Sequence, residues 1–169
     1  MEKLASNVRS AVAKILPEEP PKDPYFGAVE TVESVVEEVQ PTSRYFGLFL
    51  AMDAAQIKSE RILALAEAIV PKGLAYLCAW GPDCERVHDC FDEVIVAANL
   101  DSTDDNVVMT TWHAHDSLDE ALWYFVNSAF AVKNYRADCR DWITIVIGNH
   151  HWEHGTRAAL SQIPGASKM

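Results

Sequence analysis

The sequence predicts a three-layer α/β sandwich on a four- or five-stranded, mainly parallel sheet, with an N-terminal helical arm. Three observations carry that expectation. Short, nearly continuous apolar runs recur at 45–52 (YFGLFLAM), 74–80 (LAYLCAW), 107–112 (VVMTTW) and 142–147 (WITIVI), as strands covered on both faces require. Between them lie segments whose apolar residues return every three or four positions, the period of a half-buried helix. Alternation of the two implies parallel strands joined by right-handed crossovers.

The elements follow in order. Leu4, Val8, Val12 and Ile15 share one face of a helix over 4–16,. The run PEEPPKDP at 17–24 holds four prolines and cannot extend it,, so 1–24 reads as an arm and linker ahead of a single domain at 25–163. Val29, Val32, Val36 and Val39 suggest a second helix ending near Pro41. The first strand follows at 45–52. Ile57, Ile62, Leu65, Ala66 and Ile69 mark the next helix, closed by Gly73 in the position where a left-handed residue ends helices. After the strand at 74–80, residues 83–92 read as a helix, and 94–97 (VIVA) either extends it or forms a fifth strand; the short strand is favoured, parallel or as an antiparallel edge. The acidic loop DSTDDN returns the chain to the strand at 107. Leu118, Ala121, Leu122, Phe125, Val126 and Ala129 form another helix, entered through a Ser117–Glu120 capping box,. The last strand at 142–147 is followed by a helix through Arg157, Ala158, Leu160 and Ile163, with a flexible tail at 164–169. Strand order stays open between flavodoxin-like and Rossmann-like.

The 169 residues carry a net charge of −11 with 49% hydrophobic residues, enough to fill one core. That acidity opposes a nucleic-acid backbone, which needs Lys and Arg to displace counterions, and an anionic membrane surface. No apolar run is long enough to cross a bilayer, and the first residues lack the pattern of a secretory signal. A cytoplasmic protein with free thiols is therefore expected. Cys78, Cys84, Cys90 and Cys139 form no C-x-x-C pair, and their spacing matches no zinc ribbon,. Cys78 and Cys90 read as small core residues.

In open parallel sheets ligands bind beyond the carboxyl ends of the strands. There the sequence places Asp53, WGPDCERVH (80–88), TWHAHD (111–116) and GNHHWEH (148–154), with five of the six histidines after the last two strands. His113 and His115, two apart, would point the same way in an extended segment. With Asp53, Asp116, His150, His151 or His154 they could complete a site for zinc or another divalent ion. No spacing matches a known ligand signature, so strand-end histidines in ordinary polar roles are the stronger expectation. Cys84 at a helix start with His88 four residues on suggests a thiol–imidazole pair, opposed by the negative charge of Asp83 and Glu85. No Gly-rich phosphate loop occurs, and His113, Asp116 and Ser117 form no G-x-S-x-G elbow,. Trp80, Trp112, Trp142 and Trp152 lie at strand edges, where they either seal the sheet or anchor a partner.

The segments WGPDCERVHD (80–89) and TTWHAHDSLDEALWYF (110–125) resemble small bacterial proteins grouped as a family of unknown function. That resemblance implies no activity, substrate or catalytic residue.

The functional expectation is a cytosolic, non-enzymatic regulatory module. It would bind a protein or small molecule through a rim holding Asp53, Trp80, Asp83, Cys84, His88, Trp112, His113, His115, Asp116, His150 and His151. The alternative is a small hydrolase or metal-assisted enzyme using His113, His115, His150 and His151 on that rim. The apolar face of the arm needs cover, which is compatible with a homodimer.

Overall fold

The computed structural model describes residues 1–3, 20–98 and 106–162. Its elements are β1 (Glu2–Lys3), β2 (Asp23–Val29), α1 (Val35–Glu38), β3 (Tyr45–Ala51), α2 (Ser59–Ile69), β4 (Leu74–Trp80), α3 (Cys84–Ala98), β5 (Met109–His113), α4 (Leu118–Asn127), α5 (Lys133–Arg136), β6 (Cys139–Ile147) and α6 (His150–Gln162). Six strands form one sheet in the order β1-β2-β6-β3-β4-β5. Neighbours from β2 to β5 are parallel, and only β1 runs antiparallel at its edge.

The apolar runs are explained by cover on both faces. On one side Val35, Ile62, Leu65, Ile69, Val87, Phe91 and Ile95 of α1, α2 and α3 pack on Leu48, Leu50, Leu77, Ile143 and Ile145. On the other, Ala121, Leu122, Phe125 and Val126 of α4 and Leu160 of α6 pack on Phe26, Phe49, Tyr76, Trp142 and Val146. The capping box expected at Ser117 and Glu120 is formed. Gly73 ends the turn after α2 with φ +101, as its place after that apolar pattern requires.

Several expectations are corrected. Residues 94–97 are not a strand: α3 continues to Ala98, because Val87, Cys90, Phe91, Val94 and Ile95 keep helical spacing toward the core,. The valines at 29–39 do not form one helix, since Val29 ends β2 and only Val35–Glu38 is helical. β2 begins at Asp23, so the second half of the Pro-rich run enters the sheet. Pro24 stands near the start of that strand, where a missing N–H is tolerated,. The last helix, expected through Arg157, Ala158 and Leu160, begins at His150, where Asn149 Oδ1 accepts the Trp152 N–H at 3.0 Å and caps it,. The helix expected over 4–16 and the tail at 164–169 lie outside the described residues.

Two buried polar side chains secure the sheet away from the rim. Lys22, 1% exposed, donates to the carbonyls of Phe125 (3.2 Å), Val126 (3.0 Å) and Ala129 at the end of α4, and lies 3.6 Å from the centroid of the Trp142 ring. Asp141, near the start of β6, accepts from the Thr42 and Ser43 backbone N–H groups at 2.5 and 3.0 Å and from the Thr42 hydroxyl at 3.0 Å. It thereby holds the loop that enters β3.

The topology creates three crevices. From β2 through β3 and β4 to β5 the chain advances across the sheet over α1, α2 and α3. From β5 it crosses to the opposite face through α4 and inserts β6 between β2 and β3. Adjacent strands therefore send their chains to opposite faces at β4/β5 and on either side of β6. Such switch points are where open α/β sheets bind ligands.

Candidate functional site

The β4/β5 crevice gathers the densest set of the expected side chains. Trp80 and His113 are direct register partners at the ends of their strands, so both side chains emerge on the α4 side of the sheet. A cleft of about 390 Å³ opens there, lined by Trp80, Gly81, Pro82, Asp83, His113, Ala114, Asp116 and Trp152. Trp152 reaches it from α6, and its ring meets that of Trp80 edge-on at 5.0 Å.

The backbone around the cleft is tightly fixed. Gly81 has φ +112, and a Cβ there would lie 2.4 Å from the Met52 carbonyl oxygen, so only glycine fits. Met52 N–H donates to the Trp80 carbonyl at 3.1 Å and Ala54 N–H to the Pro82 carbonyl at 3.0 Å, tying the loop after β4 to the loop after β3. Asp83 takes φ +61. Its carboxylate accepts from Arg86 at 2.7 Å, while the same guanidinium donates to the Ile57 carbonyl at 2.9 Å, to the Ser59 hydroxyl at 3.1 Å and to the Ala54 carbonyl. Much of the WGPDCER segment is thus a clamp between two loops.

Trp80 Nε1–H donates to the Asp116 carbonyl at 2.9 Å, which holds the bend after β5 over the cleft. The Asp116 carboxylate then accepts from His113 Nδ1 at 2.5 Å. A carboxylate acceptor places the ring proton on Nδ1 and leaves Nε2 as an acceptor in the neutral imidazole. The His113 side chain is 9% exposed, its ring lies 4.8 Å from that of Tyr124, and its Nε2 has no hydrogen-bond partner. Behind it, Tyr76 and Tyr124 hydroxyls are 3.0 Å apart, and burial pushes the Tyr76 phenol well up.

The other candidates divide among separate places. Cys84 is buried at the start of α3, and desolvation, only partly opposed by a hydrogen bond from the His113 backbone, raises its thiol. It therefore makes a poor nucleophile. His88 and Trp112 lie on the opposite face of β5, with ring centroids 4.5 Å apart. His88 Nε2 is 3.1 Å from the Thr110 hydroxyl, which donates to Asp92 at 2.7 Å. Trp112 is 44% exposed. His115 is not extended beside His113: β5 ends at His113, and His115 is exposed in the bend that follows. His150 and His151 are exposed in the first turn of α6, His150 standing 3.4 Å from Glu153 and 3.9 Å from Glu30. Among the described residues no three His, Cys, Asp or Glu side chains converge as metal ligands.

Asp53 belongs to the crevice beside β6, where its carboxylate caps a short turn by accepting from Ala55 N–H at 3.1 Å. Arg61 in that crevice is held by Glu33 in two bonds of 2.7 and 2.8 Å. A third depression, about 400 Å³, lies over β2; there Arg157 pairs with Glu2 and Glu153, and Glu38 with the Met1 amino group. These charged groups already have partners, unlike His113 Nε2.

Sequence reasoning placed Trp152 at a strand end but not among the site residues, and it passed over Tyr76 and Tyr124. Alternation from Thr111 to His113 onto the α4 face, together with the helical spacing of Tyr124 from Ala121, was the signal for the tyrosines. No helix among the described residues is long and apolar enough to cross a membrane.

The chain belongs to the family described as a domain of unknown function (DUF7684), which it matches over residues 30–163. The match covers every element from α1 onward and begins just after β2. No curated protein and no solved structure matches it.

Proposed function

We propose that this chain is a non-catalytic, regulatory binding module that takes its ligand in the cleft between the carboxyl ends of β4 and β5. The observation that carries the reading is His113, nine-tenths buried and oriented by Asp116 at a cleft walled by Trp80 and Trp152, with its buried Nε2 left unpartnered. A buried polar atom without a partner costs stability, and a ligand whose binding brings a donor to Nε2 would relieve that cost. The volume suits a small molecule or one side chain of a larger partner. The rigid Gly81 and Arg86 clamp makes the cleft pre-formed, which lowers the entropy lost on binding.

The experiment is a screen of chemically diverse small molecules, read by the indole N–H resonances of the protein labelled with ¹⁵N-tryptophan. Hits are expected to move Trp80 and Trp152 together while Trp123, exposed on α4, stays still. Hits that consistently map elsewhere, or none at all, would overturn the reading.

The Asp116–His113 pair also favours a second reading, acid–base catalysis, since a carboxylate on Nδ1 is how a general base is oriented. Against it, Cys84 is buried, and the Ser117 hydroxyl is engaged with Glu120 at 2.7 Å. Turnover of an ester or amide probe that disappears in His113→Gln would favour catalysis over binding alone.

A further inference from the structure

The chemistry of the cleft specifies the charge class of its occupant, an inference that rests on the binding reading above. Among the described residues that line it there is no Lys or Arg, and the charged or basic groups are Asp83, Asp116 and His113. Arg86, which holds Asp83, spends its guanidinium on that carboxylate and on Ile57, Ser59 and Ala54 behind the loop. The acceptors, in contrast, retain capacity. Asp116 uses one carboxylate oxygen for His113 and Asp83 one for Arg86, and His113 Nε2 accepts from nothing. The walls are the rings of Trp80 and Trp152, the best aromatic partners for a cation.

We infer that the cleft binds an organic cation, a primary ammonium or a guanidinium, seated against Trp80 and Trp152 with its N–H donors directed to the carboxylates of Asp116 and Asp83. An anion would meet two carboxylates and no Lys or Arg side chain from the lining, which disfavours phosphates and carboxylic acids. The net charge of −11 favours the encounter by long-range steering. The same chemistry is offered by a free amine and by a Lys or Arg side chain of a peptide.

The test titrates ¹⁵N-tryptophan-labelled protein with agmatine, spermidine, a capped Lys/Arg tripeptide, neutral N-butylacetamide and inorganic phosphate. Saturable shifts of the Trp80 and Trp152 indoles are expected with the cations and not with phosphate. Asp116→Asn is expected to weaken cation binding by about tenfold or more, the scale of one lost charge-assisted hydrogen bond. Asp119→Asn, on the neighbouring helix surface but outside the cleft, should change it less than about twofold, as expected of a screened surface charge. Thermal melts of both variants check the fold.

Tighter binding of agmatine or spermidine than of the tripeptide identifies a free amine as the source, and the reverse order identifies a peptide side chain. Equal weakening by both substitutions means attraction to the overall charge alone and overturns the inference. Indole shifts with the neutral amide or phosphate, but not with the cations, overturn the charge class while leaving the cleft a binding site. Silence with every probe overturns both.

Discussion

Replacing Lys22 tests how the sheet and α4 are held together. Its ammonium is 1% exposed and serves three carbonyls, those of Phe125, Val126 and Ala129, while lying 3.6 Å from the centroid of the Trp142 ring. Lys22→Met keeps the length and apolar stem but leaves those acceptors without this donor. Unpaired buried acceptors cost about 1–3 kcal/mol each, and the cation–π contact adds up to about 2 kcal/mol. Against this, the buried ammonium no longer has to be desolvated, which returns several kcal/mol. The net expectation is a loss of about 3 kcal/mol for Lys22→Met. Lys22→Ala removes the packed stem as well and should lose about 5 kcal/mol, the difference being the cavity term. Urea unfolding followed by tryptophan fluorescence measures both, and faster amide exchange at the end of α4 should accompany the loss. A Lys22→Met protein within about 0.5 kcal/mol of the parent, well below the cost of one orphaned acceptor, would refute the reasoning that this ammonium caps α4.

The remaining expectations concern the loops, the thiols and acid stability. Gly81→Ala puts a Cβ 2.4 Å from the Met52 carbonyl at φ +112 and should destabilise by about 2–4 kcal/mol. In urea unfolding, a neutral result would mean the loop is not held as described. All four cysteines are buried, and desolvation foremost raises the thiols of Cys78, Cys84 and Cys90. Ellman's reagent at pH 8 should therefore label none in the native protein and all four after denaturation, whereas rapid native labelling of Cys84 would reopen a thiol role. The Arg61 guanidinium beside Glu33 holds that carboxyl down at about 2 against an ordinary 4.5. A lowered folded-state value means the stabilisation is complete above about pH 4.5 and fades as pH falls toward 2. The stability difference between the parent and Glu33→Gln should shrink across that window and also in high salt, because the pair is exposed. A difference that stays constant from pH 5 to 2.5 would contradict the assignment.

The sandwich follows from local sequence chemistry alone. Runs such as 74–80 and 142–147 are apolar without alternation, which only a strand covered on both faces tolerates, and the intervening helices carry their own stop and start residues in Gly73 and Ser117–Glu120. Local chemistry of that kind acts over a few residues and is legible one window at a time. It failed where a short apolar stretch suits two structures: VIVA at 94–97 fits a strand as well as the last turn of α3, and packing of Val94 and Ile95 against the core decided for the helix. It failed also at β2, where a proline-rich run reads as linker until pairing with β6 supplies its hydrogen bonds.

At the site, the sequence placed Trp80, His113 and Asp116 on one rim, because strand-end positions follow from the strand pattern. It could not divide that rim. Only the insertion of β6 between β2 and β3 separates Asp53 and His150 from the β4/β5 cleft. Only the pleat sends Trp112, which meets His88 of α3, to one face of β5 and His113 to the other, and only the arrival of α6 brings Trp152 to Trp80. Lys22 on α4 and Trp152 on β4 are contacts between residues far apart in the chain. Strand order and helix placement make such contacts, and no local pattern encodes them.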